Sequence, residues 1–270
     1  MKHAWPRYAL ALGLIAVPLL LALLGPVLAG PAGPRTVSFS SSGVGEGHWL
    51  GTDFTGRDVW HQVLLGGRSV VLVALTATLL AYLVAIPLGL TAALTRRTWL
   101  EEALMRPLDV LIAVPSLLLV LLVAATLTPG PAGLTTLAGL AAVPDAARVV
   151  HAAAVEISSR PAVEALRMQG ESWWRTAIGY VARSMRRALA ADAGIRLTGA
   201  LYLVATAAFL GVGVEPDAAD WAVMVDRNRT GLFLQPWAVV VPALLIAALS
   251  LGTNLLFDVA LQERWKGAKR

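Results

Sequence analysis

The sequence predicts an all-α, polytopic membrane protein with six transmembrane helices. Three observations carry that prediction. Of 270 residues, 57% are hydrophobic and only 14% charged, whereas an average soluble domain carries about 25% charged residues. The mean hydropathy is +0.69. Several apolar runs approach or exceed the ~18 residues that mark a bilayer-spanning helix. Lipid offers backbone N–H and C=O groups no partner, so a spanning segment is a helix or part of a closed barrel. These runs are too long for barrel strands.

The spans follow in order at about 8–28, 70–94, 108–127, 134–150, 188–212 and 237–257. The first follows Lys2 and Arg7 and contains Pro18. It is longer than the roughly 7–15 residues of a signal-peptide core, so it is read as a retained span. The second contains Pro87, the third Asp109 near its start and Pro115 within it. In the fourth, Pro144 precedes Asp145 and Arg148, three apart near its inner end. The fifth opens with Asp192 and Arg196, four apart, and the sixth contains Pro242. Spacings of three and four put each charge pair on one helix face, where mutual neutralisation lowers the cost of lying near lipid. All five charges fall near inner ends, where side chains reach water, so a structural role is preferred to a proton relay. The prolines predict kinks that neighbouring helices repair and carry no function by themselves.

Orientation comes from arginine and lysine. With both termini in the cytoplasm, Lys2, Arg7, Arg96, Arg97, Arg106, the eight arginines from Arg148 to Arg196, Arg264, Lys266, Lys269 and Arg270 lie inside. Only Arg35, Arg57, Arg68, Arg227 and Arg229 lie outside. The positive-inside rule therefore gives N-in, C-in. It also accounts for the +5 net charge without invoking nucleic acid. The chain divides into 1–65 (first helix plus an extracytoplasmic segment), a five-helix core at 66–262, and a basic cytoplasmic tail at 263–270.

Much chemistry is excluded. There is no cysteine, hence no disulfide, thiolate metal site or thiol nucleophile. No phosphate-binding loop, H-E-x-x-H pair or G-x-S-x-G elbow occurs. His3, His48, His61 and His151 are scattered without metal-ligand spacing. No catalytic, cofactor-binding or metal-ligating residue is expected, and the chain is read as non-enzymatic.

Two polar segments remain. The inner loop 156–187 reads EISSRPAVEALRMQGESWWRTAIGYVARSMRR. Val163, Leu166, Trp173 and Trp174 flank Gly170, while Glu164, Arg167, Arg175 and Arg183 supply charge. Glycine costs a helix about 1 kcal/mol relative to alanine, so Gly170 predicts a break between two short helices. Adjacent tryptophans are costly in water; they lie in the membrane interface or enter a groove on a protein, and both readings stay open here. The outer segment reads His48-Trp49-Leu50-Gly51-Thr52-Asp53-Phe54-Thr55-Gly56-Arg57-Asp58. Gly51 and Gly56 permit tight turns, Thr52 and Asp53 can bond local backbone, and Arg57 is placed to pair with Asp58. A structural turn setting the entry of the second span is preferred to solute contact.

Both segments carry a resemblance. Glu164-Ala165 followed by Gly170 resembles the EAA loop of binding-protein-dependent ABC importer permeases. The segment from His48 to Asp58 resembles the H-x-L-G-T-D-x-x-G-R-D signature of C-type permeases of the dipeptide, oligopeptide and nickel class. Ala113-Val114-Pro115-Ser116-Leu117, Phe209-Leu210-Gly211-Val212-Gly213-Val214, Trp221 and Pro236-Trp237 extend the likeness in order along the chain. Two departures stand out. Leu166 replaces the second Ala of the EAA pattern, and Val181-Ala182-Arg183-Ser184 replaces its Ile-x-Leu-Pro end, leaving the turn into the fifth span open.

The resemblance implies a type I ABC importer permease in the bacterial inner membrane, passing it several times. It implies a second homologous permease subunit as heterodimer partner, an extracytoplasmic solute-binding protein, and two cytoplasmic ATPase subunits that bind ATP and Mg²⁺; this chain itself would hold no cofactor. Glu164, Ala165, Arg167, Gly170, Trp173 and Trp174 would meet the ATPase. Gly51, Thr52, Asp53, Gly56, Arg57 and Asp58 would be structural or receptor-facing. The implied solute is a di- or oligopeptide, with nickel or a metal–chelator complex as the alternative. An ion-coupled secondary transporter and a non-transporting membrane scaffold are the rivals from other classes.

Overall fold

Proline, glycine and capping residues set where the helices begin and end. The computed structural model describes residues 5–30, 44 and 48–268, and the side chains of 5 and 260–268 are outside that description. The elements are α1 (Trp5–Leu28), α2 (Val59–Leu94), α3 (Thr98–Ile112), α4 (Ser116–Leu127), α5 (Pro131–Ser158) and α6 (Pro161–Met168). A π-helical segment (Arg175–Ala182), α7 (Arg183–Phe209), α8 (Trp221–Asn228) and α9 (Trp237–Ala268) complete the chain. One antiparallel bridge pairs Thr52 with Asp58. Lys2, His3, Arg35, Lys269 and Arg270 lie outside the described residues, as do the side chains of Arg264 and Lys266.

Among the described residues, five continuous helical runs are long and apolar enough to cross a membrane: Pro6–Leu28, Val59–Leu94, Pro131–Ser158, Arg175–Phe209 and Trp237–Val259. The expected third span is different. It is two helices, α3 and α4, bent by 87°, and only the pair taken together makes a sixth span. Pro115 is the cause: it lacks a backbone donor and biases Val114 away from helical geometry, so α3 ends and α4 starts afresh. Pro18, Pro87, Pro144 and Pro242 remain inside their helices. Following the arginine bias, the end of the bundle holding 95–98 and 159–172 is the inner one.

Helix α2 begins eleven residues before the expected start of the second span and runs for 36 residues. The carboxylate of Asp58 caps it by accepting from the His61 N–H. Gly66 and Gly67 disguise this first stretch in sequence, since paired glycines argue against helix. They serve as a seat for Trp221. A Cβ on Gly66 would lie 2.9 Å from the indole, and one on Gly67 would overlap the ring. The Trp221 indole N–H donates to the Val63 carbonyl at 2.9 Å, so this wholly buried side chain is also satisfied.

Lipid tails provide no hydrophobic drive between helices, so close approach through small residues matters most. Gly139 of α5 meets Leu80 and the Ala77 carbonyl of α2, and Gly89 of α2 meets Val150 of α5. Helix α1 is held in the same way, with Gly25 against the Leu64 backbone and Gly252 of α9 against Leu14 and Ile15. Two of the buried apolar clusters lie at opposite depths of the bundle. One, around Val59, Val63, Trp221 and Met224, holds the outer half. The other, around Leu90, Val150, Val163, Ala177 and Val181, holds the inner half.

The intramembrane charges pair between helices as well as within them. Arg196 reaches Asp192 at 3.1 Å on its own helix and Asp145 of α5 at 3.6 Å. Tyr82 of α2 donates to Asp192 at 2.5 Å. Arg148 pairs with Asp109 of α3, so the expected Asp145–Arg148 pair does not form. Each partner instead finds the opposite charge on the helix it faces.

Candidate functional site

At the outer end, the signature 48–58 folds back on itself. Gly51 and Gly56 adopt φ of 73° and 79°, the left-handed region that L side chains avoid. The Asp53 N–H donates to the Arg57 carbonyl at 2.7 Å and the Gly56 N–H to the Asp53 carbonyl at 3.0 Å. The side chain of Asp53 is enclosed. One carboxylate oxygen accepts from the Thr55 N–H, the Thr55 hydroxyl and the Arg57 N–H at 2.7–2.9 Å. The other accepts from Arg227 at 3.0 Å, with the two side chains 1% and 12% exposed.

Arg57 and Asp58 do not pair. Arg57 donates to the Asp217 carbonyl at 2.7 Å and lies 3.7 Å from its carboxylate. Asp58 bonds the His48 ring at 2.6 Å while capping α2. Adjacent residues in an extended bridge point to opposite sides, which is why the two side chains take separate partners. Helix α8 completes this site, for Asn228 accepts from the Phe54 N–H at 3.1 Å. Burial lowers the pKa of Arg227, opposed by the charge of Asp53. Burial raises that of Asp220, opposed by bonds from Ser69 and from the Val223 and Ala222 N–H groups that Asp220 caps. Sequence reasoning missed Asp217, Asp220, Arg227 and Asn228 as parts of this site. The Asp220-Trp221 pair was the available signal, because an Asp just before an apolar helix start is a preferred N-cap.

At the inner end, Pro161 opens α6 at a position where its missing N–H is harmless. Val163 is wholly buried in the inner apolar cluster, whereas Glu164, Ala165 and Arg167 face outward. Gly170, at φ 75°, ends the helix as a left-handed cap. Its N–H bonds the Arg167 carbonyl and that of Glu171 bonds the Leu166 carbonyl, both at 3.1 Å, the paired closure of a Schellman motif. Trp173 and Trp174 follow, edge to face at 4.8 Å between ring centres. Met168, Trp174 and Ile178 are 78%, 68% and 57% exposed.

No turn separates this region from the fifth span. The segment Arg175–Ala182 runs straight into α7, making one helical rod of 35 residues. Ser184 stands where the Ile-x-Leu-Pro pattern has proline, and a residue with a free N–H lets the helix continue. The widened π turns sit where the rod leaves the inner surface, and such turns recur at functional sites. Among the described residues, no group of three or more His, Cys, Asp or Glu is placed to hold a metal ion.

A bundle of this kind, apolar outside and crossed by a broken span, defines a multi-pass helical membrane protein with differentiated inner and outer surfaces. Residues 85–265 match the family described as the binding-protein-dependent transport system inner membrane component, and the chain belongs to that family. It is similar to a Brucella abortus protein named as a peptide transport system permease, 30% identical over 96% of this chain and 86% of that protein. It also resembles the glutathione transport system permease GsiD of Pectobacterium atrosepticum, 27% identical over 81% of this chain and 72% of the relative. The Escherichia coli protein DdpC, named as a D,D-dipeptide transport system permease, is 28% identical over 78% of this chain and 70% of its own length. The chain is thus a transmembrane permease subunit of an ABC importer, a multi-pass protein of the inner membrane.

Proposed function

We propose that this subunit forms half of a path for a peptide-type solute and that a separate cytoplasmic ATPase grips its exposed inner ridge, from Glu164 to Ile178. One observation carries the reading. The ridge is pinned from behind by the buried side chains of Val163, Ala177 and Val181, yet it turns Met168, Trp174 and Ile178 outward. A stiff element with exposed apolar groups suits a helix-in-groove contact. Glu164, Ala165, Arg167, Gly170, Trp173 and Trp174 form the contact or shape it.

Closure of two ATPase subunits on ATP and Mg²⁺, which they bind and this chain does not, pushes on the ridge. The rod Arg175–Phe209 carries the push toward the outer end. A second, homologous permease subunit supplies the other half of the path, and a solute-binding protein delivers at the outer surface. There Gly51, Thr52, Asp53, Gly56, Arg57 and Asp58 act by fixing the start of α2. Functionally, 1–65 is an outer anchor, 66–262 the transporting core with its 156–187 lever, and 263–270 a basic tail. The names of the three relatives favour a peptide over nickel as solute.

The test is Glu164→Lys in the assembled, reconstituted transporter with its binding protein. Glu164 is exposed, so insertion should be unchanged, while uptake of labelled dipeptide and stimulated ATP hydrolysis should both be lost. Normal uptake in this variant refutes the grip. Uptake of nickel in place of dipeptide by the parent protein refutes the solute.

A further inference from the structure

Behind the ridge lies a cleft of about 420 Å³ between the inner end of α2, the turn into α3 and the start of the π segment. Arg96, Arg167, Thr95, Thr176, Trp173 and Glu171 are among its lining residues. Its lining carries two guanidiniums and one carboxylate. Neither Arg96 nor Arg167 forms an ion pair with a described residue, as is also true of Arg97, Arg183, Arg186 and Arg187 outside the cleft, whereas Arg106, Arg160 and Arg175 are each held by a carboxylate four residues away. The one carboxylate in the lining, Glu171, is already engaged by Arg175 at 3.1 Å.

Thr176 supplies an independent sign. It is 4% exposed, and its hydroxyl has no hydrogen-bond partner in the protein. Other helical threonines of this chain behave differently. Thr78, Thr91, Thr198 and Thr253 each donate to the carbonyl four residues back. At Thr176 that carbonyl, of Ser172, accepts the backbone N–H, but the hydroxyl does not share it. A buried hydroxyl without a partner is unfavourable, and here it lines a cleft rimmed by two uncommitted guanidiniums. The Leu94 side chain marks the end of the apolar part of α2 in the same cleft, and the Trp173 indole forms a wall of the kind found at membrane–water boundaries.

We infer that this cleft binds a phosphate group. Its oxygens would accept from Arg96 and Arg167 in charge-assisted bonds and from the Thr176 hydroxyl. The phosphate is presented by an anionic phospholipid headgroup of the inner leaflet or by soluble phosphate; because Arg167 and Trp173 also belong to the ridge proposed above to meet the ATPase, the site is tested on the subunit without it. A ligand at this point would wedge the ridge against α2 and so set the angle at which the ridge is offered.

The experiment uses the full chain in nanodiscs of phosphatidylcholine, with or without phosphatidylglycerol, read by native mass spectrometry after release. Wild type should retain phosphatidylglycerol over phosphatidylcholine. Arg96→Gln with Arg167→Gln should lower that retention on the order of tenfold or more through lost charge-assisted bonds. Thr176→Val, which keeps the shape and removes the hydroxyl, should lower it roughly fivefold. Arg186→Gln with Arg187→Gln removes the same charge from the inner face outside the cleft and should leave retention unchanged. In discs of phosphatidylcholine alone, inorganic phosphate tests the soluble source. Broadening of its ³¹P resonance by wild type, and not by the Arg96/Arg167 double variant, assigns the site to soluble phosphate.

Equal retention and equal phosphate binding in wild type and the cleft variants overturn the inference. An equal drop in the Arg186/Arg187 control does so too, because it reports diffuse charge.

Discussion

The outer turn at 48–58 and the inner ridge at 164–178 are both short polar segments joining apolar helices; the first depends on two glycines at positive φ, Gly51 and Gly56, and the second on one, Gly170. Their side chains are used in opposite ways. In the outer turn the carboxylates of Asp53 and Asp58 are both bonded within the chain, and Arg57 and Arg227 are anchored. In the inner ridge the backbone is closed just as well, but Glu164, Met168, Trp174 and Ile178 are left exposed. The difference separates a segment that holds the fold together from one that the fold holds out. Substitutions outside should therefore register in stability, and substitutions inside in coupling.

The largest test of that contrast is Asp53→Ala. It leaves Arg227, 12% exposed, buried beside an empty place. Breaking one side of a buried pair costs about 3–5 kcal/mol. The apparent melting temperature in detergent should fall sharply, and an unchanged value would break the comparison. Next comes Gly67→Leu, which drives a side chain into the Trp221 indole. Overpacking costs about 1–3 kcal/mol and should loosen α8 from α2, seen as faster hydrogen exchange over Trp221–Asn228.

Gly170→Ala makes the converse point at the inner end. A Cβ there meets nothing within 4 Å, so only the left-handed backbone is penalised, at about 1–2 kcal/mol. Stability should fall modestly while stimulated ATP hydrolysis falls out of proportion. A parallel fall in both would erase the distinction between the two ends.

The smallest effect concerns Asp220→Asn. Burial raises the Asp220 pKa above its ordinary 3.8, so the fold favours the protonated carboxyl. Its stabilising contribution is complete below pH 3.8 and disappears as pH rises through the raised value. Asparagine keeps the capping oxygen and does not ionise. Wild type and variant should thus melt together at acid pH, with the variant gaining as pH approaches neutral. A constant gap across that range would show that Asp220 titrates normally.

Much of this was legible in the residues. Apolar run length located the five continuous helices, because a span is a sum over neighbours in sequence. Gly170 announced its helix end through its own backbone freedom. What was not legible had distant causes. Gly66 and Gly67 argue against helix until Trp221, 158 residues from the carbonyl it bonds, fills the space above them. Arg57 next to Asp58 looked like a pair because adjacency is all a sequence shows, and the bridge geometry sends them apart. Asp145 and Arg148 shared a helix face, yet α3 and α7 offered each a better-placed opposite charge.

By itself the sequence determined the helical class, the direction of the arginine bias and the family, since composition, run length and local motifs need no knowledge of neighbours in space. Tertiary structure alone decided that α8 would lock the outer turn, and that Val163 would face in while Trp174 faces out. Those outcomes depend on which helices lie side by side, and each contact involves groups that the chain brings together only after it has folded.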